Sequence, residues 1–543
     1  MAEAGVIEGQ AADALHAVRG FLARRAAVVS GALVGVALAM PSLGAGLCAD
    51  DWMQLLIARG LRPFAGLPAS RFDLFSFAGR DPGSTRALID AGVFPWWADP
   101  SMKLAFFRPL SVLTHLADQA LWPDTPALMH AQSLFWFALA LLAVGAFYRR
   151  VLPGWAAGAA ALLYAADDAH ALAVGWIANR NAMIAVACGV PALIAHDRWR
   201  RDGSRAGAVA GPLLFAVALC AGESAIAVFG YLLAYATCLD RGSLCRRAAS
   251  LAPHAAVVAA WRLCYGALGY GTVASGVYFD PASEPLAWLR AAPARAAHLL
   301  AGQFALPWSD FAPVWPLVSA RAAAIALAVA ASSVVLLAIT FAPLCARDRT
   351  ARFFALGTLF SVVPVASTFP ADRLLFFTGI GAMGLIATFL ERAPRRAWFA
   401  PAAAALLVLH GALSPAMLAF RSAHAMTAVE RPLLEADRSL PSTLALAGRT
   451  LVLVDAPADF IPSYLWLMRG TAGQRLPALR WLSSGTGAVR LWREDARTLR
   501  VRPADGFLGH EPDRMLRDPF RHPFARGQSI ELTGLRIEVT DLL

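Results

Sequence analysis

Charged residues are scarce in this chain, and several fall where they could do chemistry. Asp50 and Asp51 stand side by side in LGAGLCADDWMQ (43–54), directly after an apolar stretch running from about Ala26 to Leu47. Further along come Arg108 in FFRPLSVL, Asp167, Asp168 and His170 in YAADDAHALAVGW, Arg180 in ANRNAM, Glu223 in CAGESA, and Asp372 with Arg373 in FPADRLLFF. A carboxylate can take a proton from a hydroxyl, and the planar guanidinium fork can grip a phosphate. Each residue also has a plainer use, since an interfacial carboxylate is readily solvated and an arginine near a helix end reaches toward lipid headgroups. What groups them is that all fall near the same ends of apolar segments, as a site for an anionic substrate would require.

Composition defines the elements that must position these side chains. Of 543 residues, 58% are hydrophobic and 16% charged, with a mean hydropathy of +0.54; soluble domains carry about 25% charged residues. The pattern is that of a polytopic membrane protein. The formal charge of +11 comes from arginines clustered between apolar runs, where they act as topology signals, so no nucleic-acid partner is expected. The seven cysteines form no CxxC and no Cys/His ligand spacing, which argues against a disulfide framework or a zinc site.

Apolar segments near 26–47, 126–148, 152–167, 177–196, 206–222, 224–239, 250–268, 318–344, 353–369, 374–390 and 398–416 make about eleven expected transmembrane helices. Arg19, Arg24 and Arg25 precede the first, which puts the N-terminus (1–25) in the cytoplasm and Asp50/Asp51 on the outer face of the cytoplasmic membrane. Later clusters, among them Arg149/Arg150 and Arg392/Arg395/Arg396, then fall on the cytoplasmic side, and an odd number of crossings leaves the C-terminus outside. The membrane region is expected to be 26–416, with outer loops at 48–125 and 269–317. The first loop reads as interfacial helices, and the second as a glycine-rich stretch followed by an amphipathic helix broken near Pro293, a lid or packing element. Residues 417–543 alternate polar and apolar around 449–455, 487–492, 498–502, 529–533 and 535–539, as strands of a small extracytoplasmic α/β or β-rich domain.

In order, the chain carries an Asp-Asp pair after the first apolar segment, Arg-Pro-Leu with a downstream His, Ala-His-x-x-Ala-Val-x-Trp-Ile-x-x-Arg, Gly-Glu-Ser and Ala-Asp-Arg-Leu-Leu-Phe. Over residues 45–390 this succession resembles the GT-C glycosyltransferases, and within them the bacterial relatives of TMTC-type and protein O-mannosyltransferases. The resemblance implies an α-helical, GT-C-like membrane fold, a polyprenyl-phosphate-linked sugar as donor, and a glycan, lipid or protein acceptor. It aligns Asp50 and Asp51 with the acidic pair of the family's first outer loop and Arg373 with an arginine near the lipid phosphate. The chain departs from the family in having Asp167-Asp168-Ala169-His170 where relatives carry His-Pro-x-His-x-Glu, and Asn181-Ala182 after Arg180 in place of an Asp two positions on.

Asp50 or Asp51 is thus expected as the catalytic base, with Arg373, Arg108 and Arg180 as phosphate-binding candidates. Asp167, Asp168, His170, Glu223 and Asp372 are further candidates. The two neighbouring acids also allow a shared divalent cation, although no dedicated metal cage is written in the sequence. Two other classes stay open: a transporter or flippase, and a non-catalytic assembly subunit, for lipid-linked glycans. The ionisable groups sit at helix ends and not in mid-span, where ion coupling would need them.

Overall fold

A chain passing through hydrocarbon must satisfy its N–H and C=O groups internally, so long apolar stretches become helices. The computed structural model describes residues 13–14, 16–392, 399–441, 448–456, 458, 460–474, 476–485, 487–509 and 511–542. It is mostly helical, and every apolar segment expected to span is helical over most of its described length. Among the described residues five helices are long and apolar enough to cross a membrane: Ala26–Gly44, Pro126–Val151, Ile177–Asp202, Ala320–Arg347 and Phe399–Ser439. Arg205–Leu219 and Glu223–Cys238 are apolar but shorter. Gly154–Ala165 has 12 residues, about 18 Å of helix against roughly 30 Å of hydrocarbon. The N-terminal residues 1–12 and Arg395 and Arg396 of the expected cytoplasmic clusters lie outside the described residues.

At the centre, Asn181–Asp202 packs between Pro126–Val151 and Arg205–Leu219, while Phe376–Arg392 packs on Arg349–Val365 and Gly154–Ala165. Small residues permit this closeness. A Cβ at Gly381 would stand 2.7 Å from the carbonyl oxygen of Phe354, so any larger residue there would force two helices apart.

Outside this bundle the first loop folds into helix Asp50–Arg59, strand Ser76–Ala78, helix Pro82–Asp90, strand Lys103–Ala105 and helix Pro109–Leu121. Its two strands pair antiparallel, and Gly271–Val273 of the second loop adds the third strand, joining the two outer loops. The following helix, Pro285–Phe304, runs unbroken through Pro293. The break expected there does not occur; a proline in a helix interior removes one hydrogen bond, which neighbouring packing can outweigh.

Beyond 416 the chain continues as helices Ser414–His424 and Thr427–Ser439, so the expected boundary at 416/417 falls within a helix. Parallel strands Thr450–Leu453 and Ala478–Trp481 flank helix Phe460–Thr471, followed by hairpins Val489–Arg493/Leu499–Pro503 and Ser529–Leu532/Leu535–Glu538. This region and the first loop share one core: Leu56, Phe75, Trp96 and Trp97 meet Leu465, Trp466, Leu479 and Trp481. The Trp481 indole N–H donates to the Gly92 carbonyl at 2.9 Å. Gly92 has φ +79°, and a Cβ there would lie 2.3 Å from the Leu479 carbonyl oxygen, so the junction needs glycine on both counts.

Candidate active site

The first apolar helix leaves the bundle through the turn Met40–Gly44 and reaches Ala49, whose φ of 49° and ψ of −122° are costly for a residue with a Cβ. Asp50 and Asp51 follow in the first turn of helix Asp50–Arg59, where the helix dipole favours negative charge. Adjacent helical positions diverge by about 100°, so the two carboxylates enter different surroundings.

Asp51 points inward and is 3% exposed. Its Oδ1 accepts from the Ala178 N–H at 2.7 Å and its Oδ2 from the Cys48 N–H at 3.0 Å. Burial nevertheless pushes it up to about 7. Asp50 is half-buried, and its Oδ1 accepts from the Tyr464 hydroxyl at 2.7 Å. Burial raises its pKa above the usual 3.8, while the Tyr464 hydrogen bond and the charges of Arg373 and Arg108 pull it back down. Among the described residues its second oxygen meets no hydrogen-bond donor.

Arg373 stands in the short turn Asp372–Leu374. Its guanidinium lies 5.5 Å from the ring centroids of both Trp176 and Phe369, and among the described residues no carboxylate comes within ion-pair distance. Arg108 precedes helix Pro109–Leu121, with Nε 2.8 Å from Glu223 Oε2 and its guanidinium 4.7 Å from Phe106 and 4.9 Å from Phe75. Tyr278 connects the two groups, its ring 6.0 Å from Phe106 and 6.2 Å from Phe369. Asp50, Arg373 and Arg108 thus share an aromatic-walled, half-buried region. Tyr464, absent from the sequence expectations, closes it from the C-terminal region; an isolated tyrosine in SYLWLMRG carries no local signal of such a contact.

The other expected residues are placed differently. Arg180 is completely buried behind Asp51. It pairs with Asp118 at 2.7 Å and donates to Gln132, Ser133 and the Met129 carbonyl, so its guanidinium is enclosed and already engaged and offers no open face to a phosphate. A crevice of about 310 Å³ beside it is lined by Asp51, Gln54, His115 and Gln119. His170 is buried against Phe376, Tyr164 and Phe137, its ring nitrogens have no hydrogen-bond partner among the described residues, and burial lowers it to about 3. Among the described residues it packs against aromatic rings as a neutral imidazole. Glu223 serves Arg108. Asp167 accepts from Gln303 at 2.8 Å and from the Ala169 N–H at 3.1 Å.

Asp168 and Asp372 meet Arg421, at 2.6 and 2.7 Å, and Asp310 joins them on the same guanidinium. Neither Arg421 nor Asp310 was expected from the sequence. Burial and the charge of Asp372 push Asp310 up to about 6. Arg421→Gln should lower stability by about 3–5 kcal/mol, because removing one partner leaves buried charge uncompensated. Thermal unfolding of the purified protein measures this, and Arg421→Gln/Asp310→Asn should recover part of the loss by removing one of the stranded acids.

Among the described residues no three His, Cys, Asp or Glu side chains are arranged to hold a metal ion. The acidic pair is split between Tyr464 on one side and the Cys48 and Ala178 amides on the other.

No protein-family model matches the sequence, and no curated protein matches it. Two solved structures of the oligosaccharyltransferase of the archaeon Archaeoglobus fulgidus were found by structural comparison. One is the enzyme AglB in complex with an inhibitory peptide and a dolichol-phosphate, with a TM-score of 0.40. The other is tethered by a disulfide bond to an acceptor peptide containing the NVT sequon, with a TM-score of 0.42. In each case the identity is 12%, and the match covers 83% of this chain and 64% of the other. The chain thus spans less than two thirds of the length of the proteins it matches.

Proposed function

We propose that this protein is a membrane glycosyltransferase that moves a sugar from a polyprenyl-phosphate donor to an acceptor hydroxyl at the outer face of the cytoplasmic membrane. In this proposal the chain crosses the membrane about eleven times, with a cytoplasmic N-terminus and an extracytoplasmic C-terminal region, as expected from the sequence. The observation that carries the reading is the meeting of Asp50, Arg373 and Arg108, which are far apart in sequence, in one half-buried region. Polyprenyl-phosphate sugars already have a good leaving group. The enzyme must mainly activate the acceptor and stabilise phosphate charge as the anomeric bond breaks.

Asp50 is the base in this proposal, because one of its oxygens is open, whereas both oxygens of Asp51 receive backbone N–H groups. It takes the acceptor proton as the hydroxyl oxygen attacks the anomeric carbon, and the bond to the phosphate oxygen breaks with its electrons leaving on the phosphate. Arg373, beside two aromatic rings and with no carboxylate partner among the described residues, grips that phosphate, and Arg108 adds positive charge from the side of Phe106. Asp51 holds the turn before the base by fixing the Cys48 and Ala178 amides. The aromatic walls keep water from the reacting carbon, limiting hydrolysis of the donor.

The test is transfer from a polyprenyl-phosphate sugar by the protein in lipid nanodiscs; if the parent consumes no such donor, the proposal is wrong. Tyr464→Phe gives a finer check. A hydrogen bond donated to the ionised carboxylate lowers its pKa, so losing it should move the acidic limb of the pH–rate profile upward. An unmoved limb would separate Tyr464 from the base.

A further inference from the structure

The ribbon formed by Val489–Arg493 and Leu499–Pro503 is antiparallel, and its register sets Arg490 opposite Arg502 and Trp492 opposite Arg500. Directly opposed residues share a face and lie about 4.5–5.5 Å apart, and positions two apart on one strand lie about 7 Å apart on that face. One face therefore carries three guanidinium groups around an indole. Arg490, Trp492, Arg500 and Arg502 are all exposed. The opposite face carries exposed Leu491, Arg493 and Leu499 with half-buried Val501, and leads into the body of the region through half-buried Val489 and buried Pro503.

The outward face lacks the charge balance expected of an idle surface. Like charges directly opposite each other destabilise a strand pair. Arg500 pairs with Glu494, but among the described residues Arg490 and Arg502 meet no carboxylate. An anion lying across the ribbon would relieve that repulsion. Guanidinium forks suit carboxylate and phosphate oxygens, and an exposed indole offers a flat apolar surface for the apolar side of a sugar ring. A lipid surface would suit the reverse face instead, where exposed Leu491 and Leu499 lie beside Arg493.

We propose that this face binds an anionic glycan, one whose rings bear carboxylate or phosphate groups, as part of the acceptor. The acceptor role rests on the glycosyltransferase reading; the binding does not. The test uses the full chain in nanodiscs of neutral lipid, without donor, titrated with oligogalacturonate, uncharged dextran and inorganic polyphosphate. Oligogalacturonate should bind and dextran should not. Arg490→Gln/Arg502→Gln should weaken oligogalacturonate binding by about tenfold or more, since each charged hydrogen bond is worth that much. Trp492→Ala should weaken oligogalacturonate binding and leave polyphosphate binding unchanged.

Equal binding of dextran, or parental affinity in the double arginine variant, overturns the proposal. So does a Trp492→Ala variant that binds both anions as the parent does, which would reduce the face to a non-selective basic patch. Loss of oligogalacturonate binding in nanodiscs containing phosphatidylglycerol would overturn it in favour of a lipid contact. Unchanged thermal unfolding shows that the exposed substitutions leave the fold intact. Glycan binding without sugar transfer would sink the transferase reading alone, whereas transfer without glycan binding would sink only this one.

Discussion

Replacing Asp50 with asparagine should lower sugar transfer by about 10²–10⁴-fold, the usual worth of general-base assistance, and leave the folded protein at least as stable as the parent. The two halves of this result have one cause. Burial raises the Asp50 pKa, which means that its ionised form is held in the folded state at a cost. Asparagine keeps the size and can still accept from Tyr464, but it carries no charge to desolvate and cannot take a proton. With a folded pKa above the unfolded one, the stability linked to Asp50 is present below its ordinary value of 3.8 and is lost as pH rises through the raised value. The parent should therefore lose thermal stability relative to Asp50→Asn as pH climbs through that window. Transfer rates and unfolding curves of the two proteins, measured across pH, check both halves. Equal transfer by parent and variant would remove Asp50 from the mechanism. A large drop in stability of the variant would mean that the carboxylate is needed for the fold.

Arg373→Ala is the second large expected loss, about 10²–10³-fold in kcat/KM, the scale on which removal of a group stabilising transition-state charge is felt. Arg180 and Arg421 could not give so clean a result, because both neutralise buried carboxylates and their removal would strand charge. Arg373 holds no carboxylate among the described residues, so its removal should cost little stability. Arg373→Lys should be intermediate, since a point charge replaces a two-pronged fork. The Arg373 charge also lowers the pKa of Asp50, so Arg373→Ala should move the acidic limb of the pH–rate profile upward as well. Steady-state kinetics against donor concentration, repeated across pH, separate these effects, and unchanged donor affinity would reject the phosphate role.

The contrast between Asp50 and Asp51 shows what local sequence can and cannot convey. Two acids after an apolar segment, just ahead of Trp52, mark an interfacial helix start, and helix Asp50–Arg59 begins there. Their types and spacing are the same from either side, so nothing local says which one faces the open region. That depends on Ala178 and Tyr464, contributed 127 and 414 positions away.

Apolar run length and strand alternation determined by themselves the helical segments and the strands Thr450–Leu453, Val489–Arg493, Leu499–Pro503, Ser529–Leu532 and Leu535–Glu538, because backbone hydrogen bonding and side-chain periodicity act over a few residues, whereas strand Ala478–Trp481 was not expected. The continuity of Pro285–Phe304 through Pro293 was decided by packing against its neighbours, which no local pattern records. The tertiary structure also decided which arginine stays free. Arg180, Arg421 and Arg373 are alike as single arginines near helix ends, yet the first two are claimed by Asp118 and by the Asp168, Asp310 and Asp372 group, while the third meets no carboxylate among the described residues and acts on Asp50 through its charge. Charge pairing follows proximity in space, and Arg421 and Asp168 lie 253 positions apart in the chain.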